Sequence, residues 1–120
     1  YQVVSNDLLL SNKIKLNFRK GNKPGIYKMA YSRIVNVEYR SEEDMRLFLS
    51  KWKDWMPKHM PDAISRTMVK TGPTSSLLMA VYSSSQVAEN AREMVEVFFA
   101  ENRDHMRDII AFHGEVIEFD

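Results

Sequence analysis

Three histidines are the side chains of this 120-residue sequence whose ordinary pKa lies nearest to neutrality, so they are the first candidates for proton transfer or metal binding. They are His59, His105 and His113. His105 and His113 are eight residues apart and would share one face of a helix that continued through both. Their Cα atoms would then lie about 12 Å apart, too far for both to bind one metal ion. We therefore expect no metal site at these residues.

A carboxylate paired with a basic side chain is a second source of chemistry. Glu38 lies in one predicted strand, and Arg66 and Lys70 lie in another, so they could pair across a sheet. In a partly dry cleft such a pair could act as acid and base, whereas at an interface it would be a structural salt bridge. The sequence contains no glycine-rich phosphate loop, nucleophile elbow or zinc-binding spacing.

The element that positions Glu38 is a strand predicted over residues 31–39, whose side chains alternate between two faces. One face holds Val35, Val37 and Tyr39, and the other holds Ile34, Asn36 and Glu38. The first face is apolar, as a surface under helices should be. The second is mixed, which favours a cavity or a partner.

A helix is predicted to follow this strand. Ser41 can accept hydrogen bonds from the first free amides, and the three acids after it suit the positive end of the helix dipole. Apolar residues then recur at three- and four-residue steps, at Met45, Phe48, Leu49, Trp52 and Met56. We expect Pro57 and Pro61 to end this helix.

Residues 64–70 and 77–83 alternate as strands, and the Gly72-Pro73 pair between them predicts a hairpin. In the first strand Arg66 shares one face with Met68 and Lys70, but the pattern does not decide which face is buried.

A second helix is predicted from the capping-box spacing of Ser83 and Gln86. It either runs unbroken from Gln86 to about Phe112 or bends near Asn102, where four polar residues interrupt the apolar stripe. A short last strand is predicted over residues 115–119.

Residues 1–30 carry six basic side chains against one acid, a local charge of +5 in a chain whose net charge is +1. Residues 13–19 predict an edge strand and residues 21–25 a loop. The segment is either an additional hairpin or a basic arm that reaches a second subunit or an acidic partner. Because no aromatic residues of a known module accompany the charges, we expect no nucleic-acid binding.

The composition predicts one globular domain over residues 31–120, preceded by the N-terminal arm or hairpin of residues 1–30. The absence of cysteine excludes disulfides and thiolate metal sites and is typical of a reducing compartment. No apolar run approaches the ~20 residues that span a bilayer, and no signal-peptide pattern is visible. We therefore expect a cytoplasmic protein without membrane association.

The element order predicts the α+β ferredoxin-like βαββαβ fold, a four-stranded antiparallel sheet with two helices on one face. We expect the other face to combine Ile34, Asn36 and Glu38 with part of Arg66, Met68 and Lys70. Because such a face is too apolar for open water, we expect two copies to pack through it as a homodimer.

The succession of elements over about residues 30–120, their lengths and the half-polar strand at 31–39 resemble the dimeric α+β barrel superfamily. This superfamily includes antibiotic-biosynthesis-monooxygenase-like proteins, haem-degrading monooxygenases and stress-responsive barrel proteins, and the resemblance is one of fold. It implies sheet-to-sheet dimers with a small organic ligand or haem between sheet and helices. Within the haem-degrading branch, Asn36 is similar to an asparagine on the first strand and His105 to a histidine of the second helical region. The tryptophan of that branch has no counterpart, because Trp52 and Trp55 both lie on the first helix and the second helical region has Phe98 and Phe99 instead.

These patterns predict a small homodimeric α+β barrel that binds a small organic ligand and has no identifiable catalytic set. The predicted ligand contacts are Asn36, Glu38, Arg66, Phe98 and Phe99, and the catalytic candidates are Asn36 and His105. We expect no cofactor, with haem as the alternative. Two other functions stay open: a monooxygenase of the same superfamily, cofactor-free or haem-degrading, and an interaction module that uses the basic arm.

Overall fold

The structure is a computed structural model that describes residues 2–5 and 29–118. Its elements are β1 (Gln2–Ser5), β2 (Tyr31–Tyr39), α1 (Glu42–His59), β3 (Ser65–Gly72), β4 (Ser75–Tyr82), α2 (Ser85–Glu101), a 3-10 turn (Arg103–His105) and β5 (Met106–Glu115). The predicted strand over residues 13–19 and the loop over residues 21–25 lie outside the described residues. Within the described part, neither helix is long and apolar enough to cross a bilayer.

The sheet has the strand order β1-β5-β2-β4-β3, and each neighbouring pair among β5, β2, β4 and β3 is antiparallel. These four strands and the two helices form the predicted ferredoxin-like fold. The backbone of β1 adds a fifth strand at one edge, parallel to β5, which the sequence did not predict.

The core lies between the sheet and both helices. On β2, Val35, Val37 and Tyr39 are buried and pack against residues of α1 and α2, which confirms the predicted apolar face. The sheet face that the helices do not cover, called the open face below, carries Ile34, Asn36 and Glu38 of β2 and their cross-strand neighbours on β4 and β5.

Helix α1 begins as predicted, with the Ser41 hydroxyl accepting a hydrogen bond from the Asp44 amide at 3.0 Å. It does not end at Pro57, because a proline in the last turn removes only one backbone hydrogen bond. The helix continues to His59, and the Met60 amide donates to the Met56 carbonyl at 3.0 Å.

The predicted hairpin is confirmed, with β3 and β4 joined by the two residues Pro73 and Thr74. At Gly72 a Cβ atom would lie 2.8 Å from the Ser75 hydroxyl oxygen, so this position beside the turn has little room for a side chain.

Helix α2 starts at Ser85, one residue before the predicted Gln86. Its N-cap is Ser84 and not the predicted Ser83, and the Ser84 hydroxyl accepts from the Val87 amide at 3.2 Å. The prediction that it extends to Phe112 is wrong. Asn102 ends the helix, and its side-chain amide donates to the Phe98 carbonyl at 2.9 Å.

The segment after Asn102 is strand β5, not helix, and it ends at Glu115, where the last strand had been predicted to start. Ile109 and Ala111 face the helices, while Ile110 and Phe112 face the other side. A strand that is apolar on both faces gives a nearly continuous apolar run, which can also match a helical period.

Candidate ligand-binding cleft

The structure separates residues that the sequence predicted to line one cavity. Asn36 lies on the open face, with its Cα opposite those of Leu77 and Ile110. Phe98 and Phe99 are buried on the other side of the sheet, on the inner surface of α2. The predicted grouping is therefore wrong, because the sheet lies between Asn36 and both phenylalanines. Ligand contact by Asn36 from the open face stays a prediction.

The predicted ion pair of Glu38 with Arg66 or Lys70 does not form. Glu38 is on the open face, where its carboxylate accepts a 2.6 Å hydrogen bond from the Thr74 hydroxyl. Arg66 and Lys70 stand opposite Ala80 and Ser76 of β4, whose side chains are buried on the helix side. Both basic side chains, and Met68 between them, therefore belong to the helix side of the sheet and not to the open face.

A cleft of about 400 Å³ lies between α1 and the β3–β4 edge of the sheet. Its lining residues are Leu49, Trp52, Lys53 and Met56 of α1, Arg66, Met68 and Lys70 of β3, and Ser76 and Leu78 of β4. This volume, and a mainly apolar lining with a few polar groups, are typical of small-molecule sites. The lining contains three cationic side chains and no carboxylate.

The cleft follows from the position of β3 as the edge strand on this side of the sheet. The apolar stripe of α1 faces the sheet, and on β3 every second side chain points toward the helix. Because no other described strand lies beside β3, the gap between α1 and β3 is open at this edge of the described structure.

Arg66 is held by several contacts at one end of the cleft. One terminal nitrogen of the guanidinium donates to the Pro61 carbonyl at 2.7 Å and to the Tyr82 hydroxyl at 3.4 Å, and the other lies 3.3 Å from the Met56 sulfur. The guanidinium carbon also lies 5.6 Å from the centre of the Tyr82 ring, within cation–π range. The Nε–H is buried and has no hydrogen-bond partner, although a buried donor is normally satisfied.

The floor of the cleft contains one hydroxyl group, that of Ser76, which is hydrogen-bonded to a second hydroxyl beneath the floor. Ser76, only 1% exposed, lines the cleft, and its Oγ lies 2.7 Å from the Tyr39 hydroxyl oxygen. Burial raises the pKa of Tyr39 to about 12, and the hydrogen bond with Ser76 opposes part of that rise. The Tyr39 phenol therefore stays protonated at neutral pH.

Trp52 forms the aromatic wall of the cleft and is fixed by its neighbours. Its ring lies 5.4 Å from that of Phe98 in an edge-to-face arrangement and 5.8 Å from that of Trp55. Trp55 in turn stacks on His59 at 5.0 Å. These ring contacts hold Trp52 in one orientation, so the wall is formed before any ligand arrives.

His105 lies outside the cleft, in the 3-10 turn between α2 and β5. Its Nδ1 is 2.8 Å from an Asp44 carboxylate oxygen, and the Ser41 hydroxyl donates to the other oxygen at 2.9 Å. The hydrogen bonds from His105 and Ser41 lower the pKa of Asp44. The contact ties the 3-10 turn to the start of α1. A catalytic role of His105 stays a prediction.

His113 lies on β5, so the two histidines do not share a helix. Its Nδ1 is 2.7 Å from the Tyr31 hydroxyl oxygen. Burial and the nearby positive charges of Arg33 and Arg92 lower the pKa of His113, while Glu89 partly opposes them. Among residues 2–5 and 29–118, no cluster of histidines and carboxylates could hold a metal ion.

The sequence identified Arg66 as a site residue and placed Met68 on the same face of its strand, but it did not place Trp52 or Ser76 beside them. Trp52 belongs to the core stripe of α1, and no local pattern distinguishes a core tryptophan from one that also lines a cleft. The alternation of Arg66, Met68 and Lys70 was the available signal. It would have predicted a basic and apolar cleft wall if the sequence had shown that this face of β3 lies on the helix side.

No protein-family model matches the sequence, and no curated protein matches it either. Several solved structures share the fold. One is a dimeric ferredoxin-like protein from an uncultured marine organism, with 12% identity and a TM-score of 0.60 over 78% of this chain and 92% of that one. Another is a candidate antibiotic biosynthesis monooxygenase from Caulobacter crescentus CB15, with 9% identity and a TM-score of 0.62 over 78% and 94%.

A third similar structure is SnoaB, a cofactor-independent oxygenase from Streptomyces nogalater, with 9% identity and a TM-score of 0.52 over 70% of this chain and 91% of that one. At these identities the similarity is one of fold. The chain thus has the ferredoxin-like α+β fold of antibiotic-biosynthesis-monooxygenase-like proteins, as the sequence predicted.

Proposed function

We propose that this protein binds a small organic anion with an apolar body in the cleft between α1 and β3, and that it works as a homodimer. The observation that carries the proposal is the lining of the cleft, which combines apolar walls with three cations and no acid. An apolar body would bury against Trp52 and Met68. A carboxylate at one end of the ligand would lie near the positive charges of Lys53, Arg66 or Lys70.

The cations have capacity to accept a ligand. Lys53 and Lys70 make no ion pair or hydrogen bond through their ammonium groups within the described residues, whereas Lys58 on the same helix as Lys53 pairs with Asp54 at 3.2 Å. The free Nε–H of Arg66 adds a buried donor at the other end of the cleft. A charge-assisted hydrogen bond to a carboxylate is among the stronger interactions available there.

The lining favours binding over turnover. A cofactor-free oxygenase needs a group that takes a proton from its substrate, and the cleft lining contains no imidazole and no carboxylate. The Tyr39 phenol beneath the floor is protonated at neutral pH. Haem degradation has less support, because Asn36 and His105 lie outside the cleft and on different parts of the fold.

The open face supports the homodimer. It carries apolar side chains from four strands: Ile34, Val69, Leu77, Met79, Val81, Ile110 and Phe112. Met79 and Val69 are 40% and 41% exposed, so part of this apolar surface is accessible to a partner. A second copy of the chain offers the same apolar surface, so packing the two open faces together would remove both from water. One protein of the same fold is described as dimeric.

Tryptophan fluorescence tests the ligand class directly, because the sequence has only two tryptophans and one of them lines the cleft. Phenylbutyrate should change the emission saturably and bind at least about tenfold more tightly than phenylbutanol, which lacks the charge. The change should disappear in Trp52→Phe and persist in Trp55→Phe. Equal affinity for acid and alcohol would contradict the proposal.

A further inference from the structure

A second concave surface lies away from the cleft, where the end of α2, the 3-10 turn and the start of β5 meet. This groove has a volume of about 530 Å³. Its lining residues are Arg40, Glu96, Phe99, Ala100, Arg103, Met106, Arg107, Asp108 and Ile109.

The three arginines of the groove, Arg40, Arg103 and Arg107, lack the partners that the other arginines of the described residues have. Arg46 pairs with Glu43, Arg92 pairs with two glutamates, Arg66 has the contacts given above, and Arg33 is also partnered. Within residues 2–5 and 29–118, the guanidinium groups of Arg40, Arg103 and Arg107 make no hydrogen bond and no ion pair. All the unpaired arginines of the described residues therefore line one groove.

The carboxylates beside them do not cancel this charge. Glu96 already pairs with Arg92, which is also on α2 and does not line the groove. Asp108 accepts a hydrogen bond from the Ile109 amide at 2.9 Å and forms no ion pair with another described residue. The pKa of Asp44, which does not line the groove, is lowered mainly by its hydrogen bonds with His105 and Ser41, and the charge of Arg40 adds to this lowering. The groove keeps an excess of positive charge.

The floor between the arginines is apolar and fixed in place. Phe99, Met106 and Ile109 are nearly buried and belong to the main core. The Arg40 amide donates to the His105 carbonyl at 3.1 Å, and His105 is held by Asp44. The backbone that carries Arg40 and Arg103 is thus tied to the same turn.

We propose that this groove binds the phosphate group of a small organic phosphomonoester, with the apolar floor under the organic part. A guanidinium presents a planar fork of donors that matches phosphate, and a phosphomonoester offers three acceptor oxygens, one for each arginine. A monocarboxylate offers two oxygens and half the charge, so it should bind the groove more weakly. The site is separate from the cleft and does not depend on the function proposed there.

Calorimetric titration with phenyl phosphate tests the proposal. Arg103→Gln and Arg107→Gln should each weaken binding by about tenfold, since each removes a charged hydrogen-bond donor. Arg46→Gln is the matched control, because it removes an exposed arginine from α1, and it should bind like the unmodified chain. Raising the salt concentration should weaken binding in the unmodified chain more than in either groove variant.

Three results would overturn the proposal: no saturable binding of phenyl phosphate, equal losses in Arg46→Gln and the groove variants, or tighter binding of benzoate than of phenyl phosphate. A single-stranded oligonucleotide that lacks terminal phosphates should not compete with phenyl phosphate; competition by it would indicate a nucleic-acid surface instead. Because phenyl phosphate is itself an organic anion that can also enter the cleft, the titration is repeated in Arg66→Met, where cleft binding is weakened. The losses caused by Arg103→Gln and Arg107→Gln should persist in that background, which separates the groove from the cleft.

Discussion

Replacing Arg66 by methionine should separate ligand binding from folding. The substitution removes the guanidinium from the end of the cleft and keeps an unbranched side chain of similar reach. In the folded protein it deletes the hydrogen bonds to the Pro61 carbonyl and the Tyr82 hydroxyl. It also deletes the buried Nε–H that has no partner.

The two effects on stability oppose each other. Loss of the 2.7 Å hydrogen bond from the charged guanidinium to the Pro61 carbonyl costs about 1.5–3 kcal/mol, and the 3.4 Å contact with the Tyr82 hydroxyl is long and contributes less. Removing the buried unsatisfied Nε–H recovers about 1–3 kcal/mol. We therefore expect the free energy of unfolding to change by less than about 1 kcal/mol, which is about 4 °C in Tm for a chain of this length. The affinity for phenylbutyrate should fall by about 10- to 150-fold, because the carboxylate loses a charged donor.

Urea unfolding and fluorescence titration measure these quantities on the same samples. Arg46→Met is the control, because it makes the same substitution at an exposed arginine of α1, and it should change neither quantity appreciably. A loss of stability above about 2 kcal/mol in Arg66→Met would show that Arg66 has a structural role. Unchanged affinity would refute its role in the cleft.

Three further predictions concern stability, pH and assembly. Tyr39→Phe should lower the free energy of unfolding by about 1–2 kcal/mol, because it leaves the buried Ser76 hydroxyl without its partner. Because the folded pKa of Tyr39 is raised to about 12, the unmodified chain should also lose stability as the pH rises from 10 to 12. Urea unfolding measured across this pH range should show a smaller loss in the variant. The pKa of His113 is lowered in the folded state, so the stability that the neutral imidazole contributes is complete above pH ~6.5 and decreases as the pH falls toward the folded pKa. His113→Gln should flatten this part of the plot of unfolding free energy against pH, and an unchanged slope would contradict a lowered pKa at His113. Met79→Glu should weaken the dimer at least about 100-fold by placing a charge in an apolar interface, whereas Met94→Glu on α2, similarly exposed, should not; sedimentation equilibrium measures both, and a wild-type monomer would refute the interface.

The strongest local patterns predicted most of the fold. The strand at residues 31–39, the Ser41 cap of α1 and the β3–β4 hairpin agree with the structure because caps, turns and alternation act over a few residues. Strand β5 was predicted as helix because it carries apolar residues on both faces, Ile109 and Ala111 on the helix side and Ile110 and Phe112 on the open face. Its apolar residues therefore lost the alternation that marks a half-buried strand.

The candidate site was less predictable than the fold. Which face of β3 is covered depends on its pairing with β4, and a one-residue difference in register reverses every side chain. The sequence therefore identified Arg66 and Lys70 as interesting residues but assigned them partly to the open face, beside Glu38. The unpaired state of Arg40, Arg103 and Arg107 depends on tertiary contacts, and no local pattern reports it.

Methyl NMR of methionine-labelled protein tests the central claim most directly. Of the eight methionines, Met56 and Met68 line the cleft, Met79 lies on the open face and Met94 is exposed on α2. Addition of phenylbutyrate should shift the Met56 and Met68 methyl signals saturably and leave those of Met79 and Met94 in place. Saturable shifts at Met79 without shifts at Met56 and Met68, or no saturable shift at any methionine, would contradict an organic-anion site between α1 and β3.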